Sequence, residues 1–100
     1  MTGVMSIVSA QIAPERADEV MEPFRRALRA GLPERRQTSL LRGEDGSWKI
    51  VTFWGSRRDL DAYLTSVEEP FATRLLREAG GAPTVEILDV VLDSNLPWWP

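Results

Sequence analysis

Five rings lie between positions 48 and 71: Trp48, Phe53, Trp54, Tyr63 and Phe71. Together they could wall a pocket for a small aromatic or apolar molecule. Each is equally suited to a core, where one large ring buries about 150–250 Å². The polar residues that could orient such a ligand are Ser6, Ser9, Gln11, Thr38, Thr52 and Asp89, all set in strand-like stretches. A buried hydroxyl or amide without a partner costs about 1–3 kcal/mol, so these side chains meet either a ligand on an inward face or water at an edge. Alternation alone leaves both assignments open. What is missing narrows the chemistry further. The 100 residues include no His and no Cys, which removes thiol nucleophiles, cysteine-held zinc and iron–sulfur clusters, proximal-His haem ligation and the usual general base. No metal site and no cofactor is expected.

These residues need elements to hold them. VMSIVSAQI, residues 4–12, is rich in β-branched and small residues and reads as a first strand. After Pro14 the period changes: Ala17, Val20, Met21, Phe24 and Leu28 form one helical face. Glu15, Asp18 and Glu19 complement the positive end of this helix, Arg25, Arg26 and Arg29 its negative end, and Gly31 and Pro33 stop it. Pro23 lies inside it, removes a donor and predicts a kink or break worth roughly 3 kcal/mol. Residues 35–43 read as a second strand, Glu44-Asp45-Gly46-Ser47 as a hairpin turn, and WKIVTFW, residues 48–54, as a third strand. Ser56 opens a second helix whose face is Leu60, Tyr63 and Leu64, and Pro70 divides it from a piece carrying Phe71, Leu75 and Leu76. Gly80-Gly81 ends that piece, and residues 84–93 form the fourth strand.

The order β-α-β-β-α-β predicts an α+β, ferredoxin-like antiparallel sheet. The chain reads as a single domain over 1–100, with its core at 4–93 and a tail at 94–100. Both parities of the third and fourth strands are apolar: Trp48, Ile50 and Trp54 oppose Val51 and Phe53, and Val85, Ile87 and Val91 oppose Leu88, Val90 and Leu92. Two short helices cover only one face, so a second copy is expected on the other, sheet against sheet, giving a homodimer. One of Trp98 and Trp99 in the Pro-rich tail is expected to dock on that partner or over the chain's own cleft.

Charge and patterning exclude other classes. Twelve basic residues against fifteen acidic leave a net charge of −3, which argues against nucleic acid although six Arg crowd positions 25–42. SWKIVTFW is superficially similar to the base-stacking strand of RNA-recognition domains, without the Gly-aromatic-Gly part of that signature. The opening residues carry no positive charge ahead of their apolar stretch, and no apolar run reaches membrane length. No membrane association is therefore expected, and the cytoplasm is the expected location.

The strand, Pro-Glu and helix of residues 4–30, the hairpin 36–54 and above all IVTFWGSRRDLDAYL, residues 50–64, resemble the antibiotic biosynthesis monooxygenase type of dimeric α+β barrel domain. The resemblance spans about residues 4–93. It implies a cleft between sheet and helices in which cofactor-independent oxygenases oxidise anthrones or phenols, with Trp54 closing the third strand beside it. An Asn and a Tyr of that pattern are replaced here by Ile50 and Leu60; Tyr63 or Arg74 would have to substitute, and Arg42 or Arg74 could stabilise a phenolate. The haem-degrading branch uses a His that this chain lacks. The candidates are Trp54, Tyr63 and Arg74 at the reacting centre, with Trp48, Phe53, Phe71 and Gln11 against the substrate. The alternative is a non-enzymatic ligand-binding or stand-alone dimer domain of the same fold.

Overall fold

The computed structural model describes residues 3–31 and 37–92. Four strands, β1 (Val4–Gln11), β2 (Thr38–Arg42), β3 (Ser47–Trp54) and β4 (Thr84–Asp89), form one antiparallel sheet in the order β2-β3-β1-β4. The helices are α1 (Asp18–Ala30), α2 (Arg57–Ser66) and α3 (Phe71–Glu78), and a single 3₁₀ turn at Pro14–Arg16 leads into α1. β1 and β2 run parallel with β3 inserted between them, and β3 and β4 run parallel with β1 inserted, the split β-α-β arrangement expected of a ferredoxin-like chain.

Local chemistry explains the punctuation. In the hairpin, Asp45 Oδ1 accepts from Ser47 N at 3.1 Å and from Ser47 Oγ at 2.6 Å, while Gly46 takes a φ of 84° that favours glycine. Ser56 Oγ caps α2 by accepting from Asp59 N at 3.1 Å. Gly81 is a close-approach glycine: a Cβ there would lie 2.7 Å from Ala10 Cβ and 2.9 Å from Ile12 Cδ1. The chain thus passes directly against β1 before entering β4.

Several expectations are corrected. α1 is continuous through Pro23, so the helix does not break there, and at Ala17, which keeps helical φ and ψ, the 3₁₀ turn passes into the α-helix. Glu19, whose carbonyl loses its helical partner to Pro23, is exposed and open to water. Leu28 is 51% exposed, because the inward face of α1 runs from Val20 and Phe24 to Ala27. β4 ends at Asp89, short of 93, opposite Val4; Val90 N makes one more bond, 2.9 Å to Gly3 O, and Val91 and Leu92 are exposed. The expected docking of Trp98 or Trp99 lies outside the described residues, as do Arg35 and Arg36. Among the described residues no helix is long and apolar enough to cross a membrane.

Register assigns the faces. Val4, Ser6, Val8 and Ala10 of β1 and Trp48, Ile50, Thr52 and Trp54 of β3 point towards the helices and are buried. Met5, Ile7, Val51 and Phe53 lie on the opposite, helix-free face and are half-buried, beside Leu41 and Leu88 at 49% and 45% exposure.

Candidate active site

Beyond the row of Arg42, Trp48 and Ala10, three rows of residues cross the helix side of the sheet. The first joins Trp54, Val4 and Asp89, the second Thr38, Thr52, Ser6 and Ile87, and the third Leu40, Ile50, Val8 and Val85. The middle row carries hydroxyls on three successive strands. A cleft of about 950 Å³ opens above it, roofed by the end of α1, by α2, by the Val67–Pro70 connection and by the start of α3. That volume is at the upper end of the range for small-molecule sites.

The walls are aromatic. Trp54 is buried at the end of β3, and its ring centroid lies 5.2 Å from that of Tyr63, with the planes inclined at 41°. Trp54 Nε1 donates to Ser6 Oγ at 2.9 Å, which fixes the indole against the floor. Tyr63 Oη accepts from the backbone N of Phe71 at 3.0 Å. That amide is a first-turn donor of α3 whose N-cap, Pro70, makes no side-chain cap, so the phenol ties α2 to the start of α3. Phe71 completes the aromatic lining, and Arg74, one turn on, is an exposed cation at the rim. Thr38 Oγ1 donates to Thr52 Oγ1 at 3.3 Å across β2 and β3.

The rim is held electrostatically. Arg77 donates to both oxygens of Glu69, from Nε at 2.9 Å and from the terminal nitrogen at 2.7 Å. The hydrogen bond from Arg77 holds the Glu69 carboxyl below the usual carboxylate range. Glu69 belongs to the connection that lines the cleft, so this pair fastens that segment to α3.

Four of the seven candidates line the cleft: Trp54, Tyr63, Phe71 and Arg74. The other three lie elsewhere. Trp48 is buried in the packed core with Phe24, Leu75 and Leu76. Arg42 covers Trp48, with Cζ 5.4 Å from the ring centroid, and is not at the cleft. Phe53 is on the helix-free face, its ring close over Gly3, and Gln11 is exposed at the end of β1 beside the hairpin. Of the other strand polars, Ser9 is on the helix-free face and accepts from Lys49 Nζ at 3.1 Å, and Asp89 is exposed on edge strand β4. Among the described residues no group of acidic side chains could hold a metal ion. Ser6, Thr38 and Thr52 are the residues the candidate set lacked. Lys49, the only charged residue within WKIVTFW, marks the outward parity of β3 and so turns Thr52 inward.

The architecture is matched by a crystal structure of a proposed antibiotic biosynthesis monooxygenase from Caulobacter crescentus CB15, with a TM-score of 0.57 over 91% of this chain and 92% of that one at 20% sequence identity. The chain has the antibiotic biosynthesis monooxygenase fold. At that identity the likeness establishes the architecture, and the site must be argued from its own residues. No family model and no curated protein matches the sequence.

Proposed function

We propose that the cleft binds an electron-rich phenolic or anthrone-like aromatic and serves its oxidation by O₂ without a bound cofactor. The observation that carries this reading is the cleft of about 950 Å³ walled by Trp54, Tyr63 and Phe71 over a hydroxyl-bearing floor. The rings offer stacking surfaces, and Ile50, Val8 and Leu60 keep the deep part apolar, as a reactive carbanion and O₂ require. Arg74 at the rim attracts the anionic form of the substrate. Electron balance needs no further reductant: a CH₂ flanked by two rings becomes C=O, one oxygen atom of O₂ enters the product, and the other leaves as water with the two hydrogens.

The helix-free face supports a second copy in the working protein. Met5, Ile7, Val51, Phe53 and Leu88 form an apolar patch across β1, β3 and β4, which a partner's equivalent face would bury. One observation favours the non-enzymatic alternative. The Trp54 indole and the Tyr63 phenol oxygen are both engaged in holding the fold, so neither is committed to moving a proton. The deciding experiment is O₂ uptake with dihydroxyanthrone-type substrates after dialysis against chelator, with no flavin added. One O₂ consumed per quinone formed is the expected result. Uptake that appears only with added flavin, or that chelator abolishes, overturns the cofactor-independent reading. Saturable binding without uptake establishes the binding domain instead.

A further inference from the structure

We propose that α2 is a hinged roof, closed over the deep end of the cleft in the free protein and displaced outwards as a rigid helix when an aromatic ring takes its place against Trp54. The inference rests on the aromatic-binding reading of the cleft and adds to it how the site opens. Trp54 borders the cleft, yet it is only 4% exposed, and Leu60 beside it 2%. The side chains packed with the indole are Val4 and Ile87 from the sheet and Leu60 and Tyr63 from α2. A ligand ring that stacks on the indole needs the area these neighbours now cover, because stacked rings lie in van der Waals contact. Val4 and Ile87 are held by the pairing of β1 with β3 and β4, so the side that yields is α2.

The three helices differ in how they are held. α1 and α3 bury Val20, Phe24, Leu75 and Leu76 in the packed core, and α3 lies on both α1 and β1. α2 packs chiefly on β3, and of its ten residues Leu60 alone is buried. An element with few buried apolar contacts is among the first to move. Its internal bonds keep it a helix while it does: Ser56 caps its start, Arg57 Nε donates to Asp61 Oδ1 at 3.1 Å, and Thr65 and Ser66 donate to the carbonyls of Asp61 and Tyr63 at 2.9 and 2.8 Å. The hinges lie at its two ends. Gly55 and Ser56 lead the chain from β3 into α2, and Val67, in extended backbone, leads out of it. Glu69 is bonded to Arg77 and stays with α3, which places the second hinge at Val67 and Glu68. The bond from Phe71 N to Tyr63 Oη, at 3.0 Å, joins the moving helix to the fixed one. It belongs to the closed form and breaks when Tyr63 swings out with α2. Contact between ligand and Trp54 exists only in the open form, and that difference in contact is what lets the ligand shift the equilibrium. The apparent Kd is then weakened by the fraction of the free protein that is closed.

The test uses 1-naphthol and the full-length protein, with binding measured by equilibrium dialysis and amide hydrogen exchange by nuclear magnetic resonance. Saturating 1-naphthol should speed exchange at the Phe71 amide by about two- to tenfold, the weight of one hydrogen bond. A rigid cleft would give the opposite sign, because Phe71 lines the cleft and a ligand there would shield its amide. Tyr63→Phe removes a bond of the closed form and should tighten 1-naphthol binding by a similar factor, about two- to tenfold. A tyrosine that merely lined the site would, on the same change, leave affinity unaltered or weaken it. The variant should also lose the effect of ligand on Phe71 exchange; if circular dichroism shows it unfolded, the wild-type exchange experiment decides alone. A wild-type Phe71 amide whose exchange the ligand slows or leaves unchanged, or a folded Tyr63→Phe protein that binds no more tightly than wild type, overturns the hinged roof while leaving the aromatic cleft standing. Failure of 1-naphthol to bind saturably overturns both.

Discussion

Trp48 and Trp54 stand on the same face of the same strand, six residues apart, equally buried at 4% exposure. Their surroundings differ completely. Trp48 sits in a cluster with Val8, Ala10, Ile12, Val20, Phe24, Ile50, Leu75, Leu76 and Ala79, filled from above by α1 and α3. Among the described residues, Trp54 shares its cluster with only the buried Val4 and Leu60 and the half-buried Tyr63 and Ile87, and its other side borders the cleft. The layer between helices and sheet is therefore packed at one end and hollow at the other, and the row of hydroxyls at Thr38, Thr52 and Ser6 lies at the boundary. A filled apolar end can carry the stability of a small domain, which frees the other end to keep a cavity and polar groups that a pure core would not tolerate.

The sharpest way to break this comparison is to remove each Trp in turn. Trp48→Ala should cost about 3–5 kcal/mol, a large part of the stability of a domain this size. Trp54→Ala should cost roughly 1–2 kcal/mol less, because one side of that ring already borders a void. It should nevertheless abolish aromatic-ligand binding, which Trp48→Phe should leave intact; urea unfolding and dialysis binding read the two effects. Equal costs for the two Ala variants would show the hollow end to be core as well.

The next prediction concerns the helix-free face. Val51→Glu places a charge at the centre of the apolar patch, where burial against a partner would cost several kcal/mol. Sedimentation should show the dimer dissociation constant rise at least about a hundredfold, with the cleft's ligand affinity little changed. A wild-type protein that sediments as a monomer at micromolar concentration would remove the dimer from the account.

Smaller effects sharpen the roof of the cleft. Tyr63→Phe deletes the acceptor for the Phe71 amide and should cost about 1–2 kcal/mol, with the ring stacking on Trp54 retained; hydrogen exchange at Phe71 should speed up. The smallest effect is the Glu69–Arg77 pair. The folded-state pKa of Glu69 is depressed below its ordinary 4.5, so its contribution is present above that value and is lost as pH falls through the folded pKa. Arg77→Gln should therefore lower stability slightly at neutral pH, where the exposed pair contributes, and flatten the loss on acidification below about pH 4.5, so that variant and wild type converge at low pH. An unchanged acid limb in melting curves would show the pair to be without effect.

Much of this architecture is legible in the sequence, because local chemistry writes it. Asp45-Gly46 fixes the hairpin, Ser56 caps α2, Pro70 separates α2 from α3, and the helical spacing of Val20 and Phe24 marks the inward face of α1. Element ends are less legible. Where β4 stops depends on its pairing with β1, and whether Pro23 breaks α1 depends on whether the freed carbonyl meets water. The site is half legible for the same reason. Trp54, Tyr63, Phe71 and Arg74 are identifiable as residue types, but Trp48 and Phe53 look identical to them until register assigns one to the packed end and the other to the opposite face. Hydroxyls of Ser6 and Thr52 become a pair only when two distant strands are aligned.

The most direct test of the division between packed and hollow ends is a nuclear magnetic resonance titration of the indole N–H signals with a phenolic aromatic such as 1-naphthol, each signal assigned by a Trp→Phe variant. The account predicts a saturable shift of the Trp54 signal, whose donor rests on Ser6 at the cleft floor, with the Trp48 signal unmoved. A Trp48 signal that shifts while that of Trp54 stays in place would contradict it.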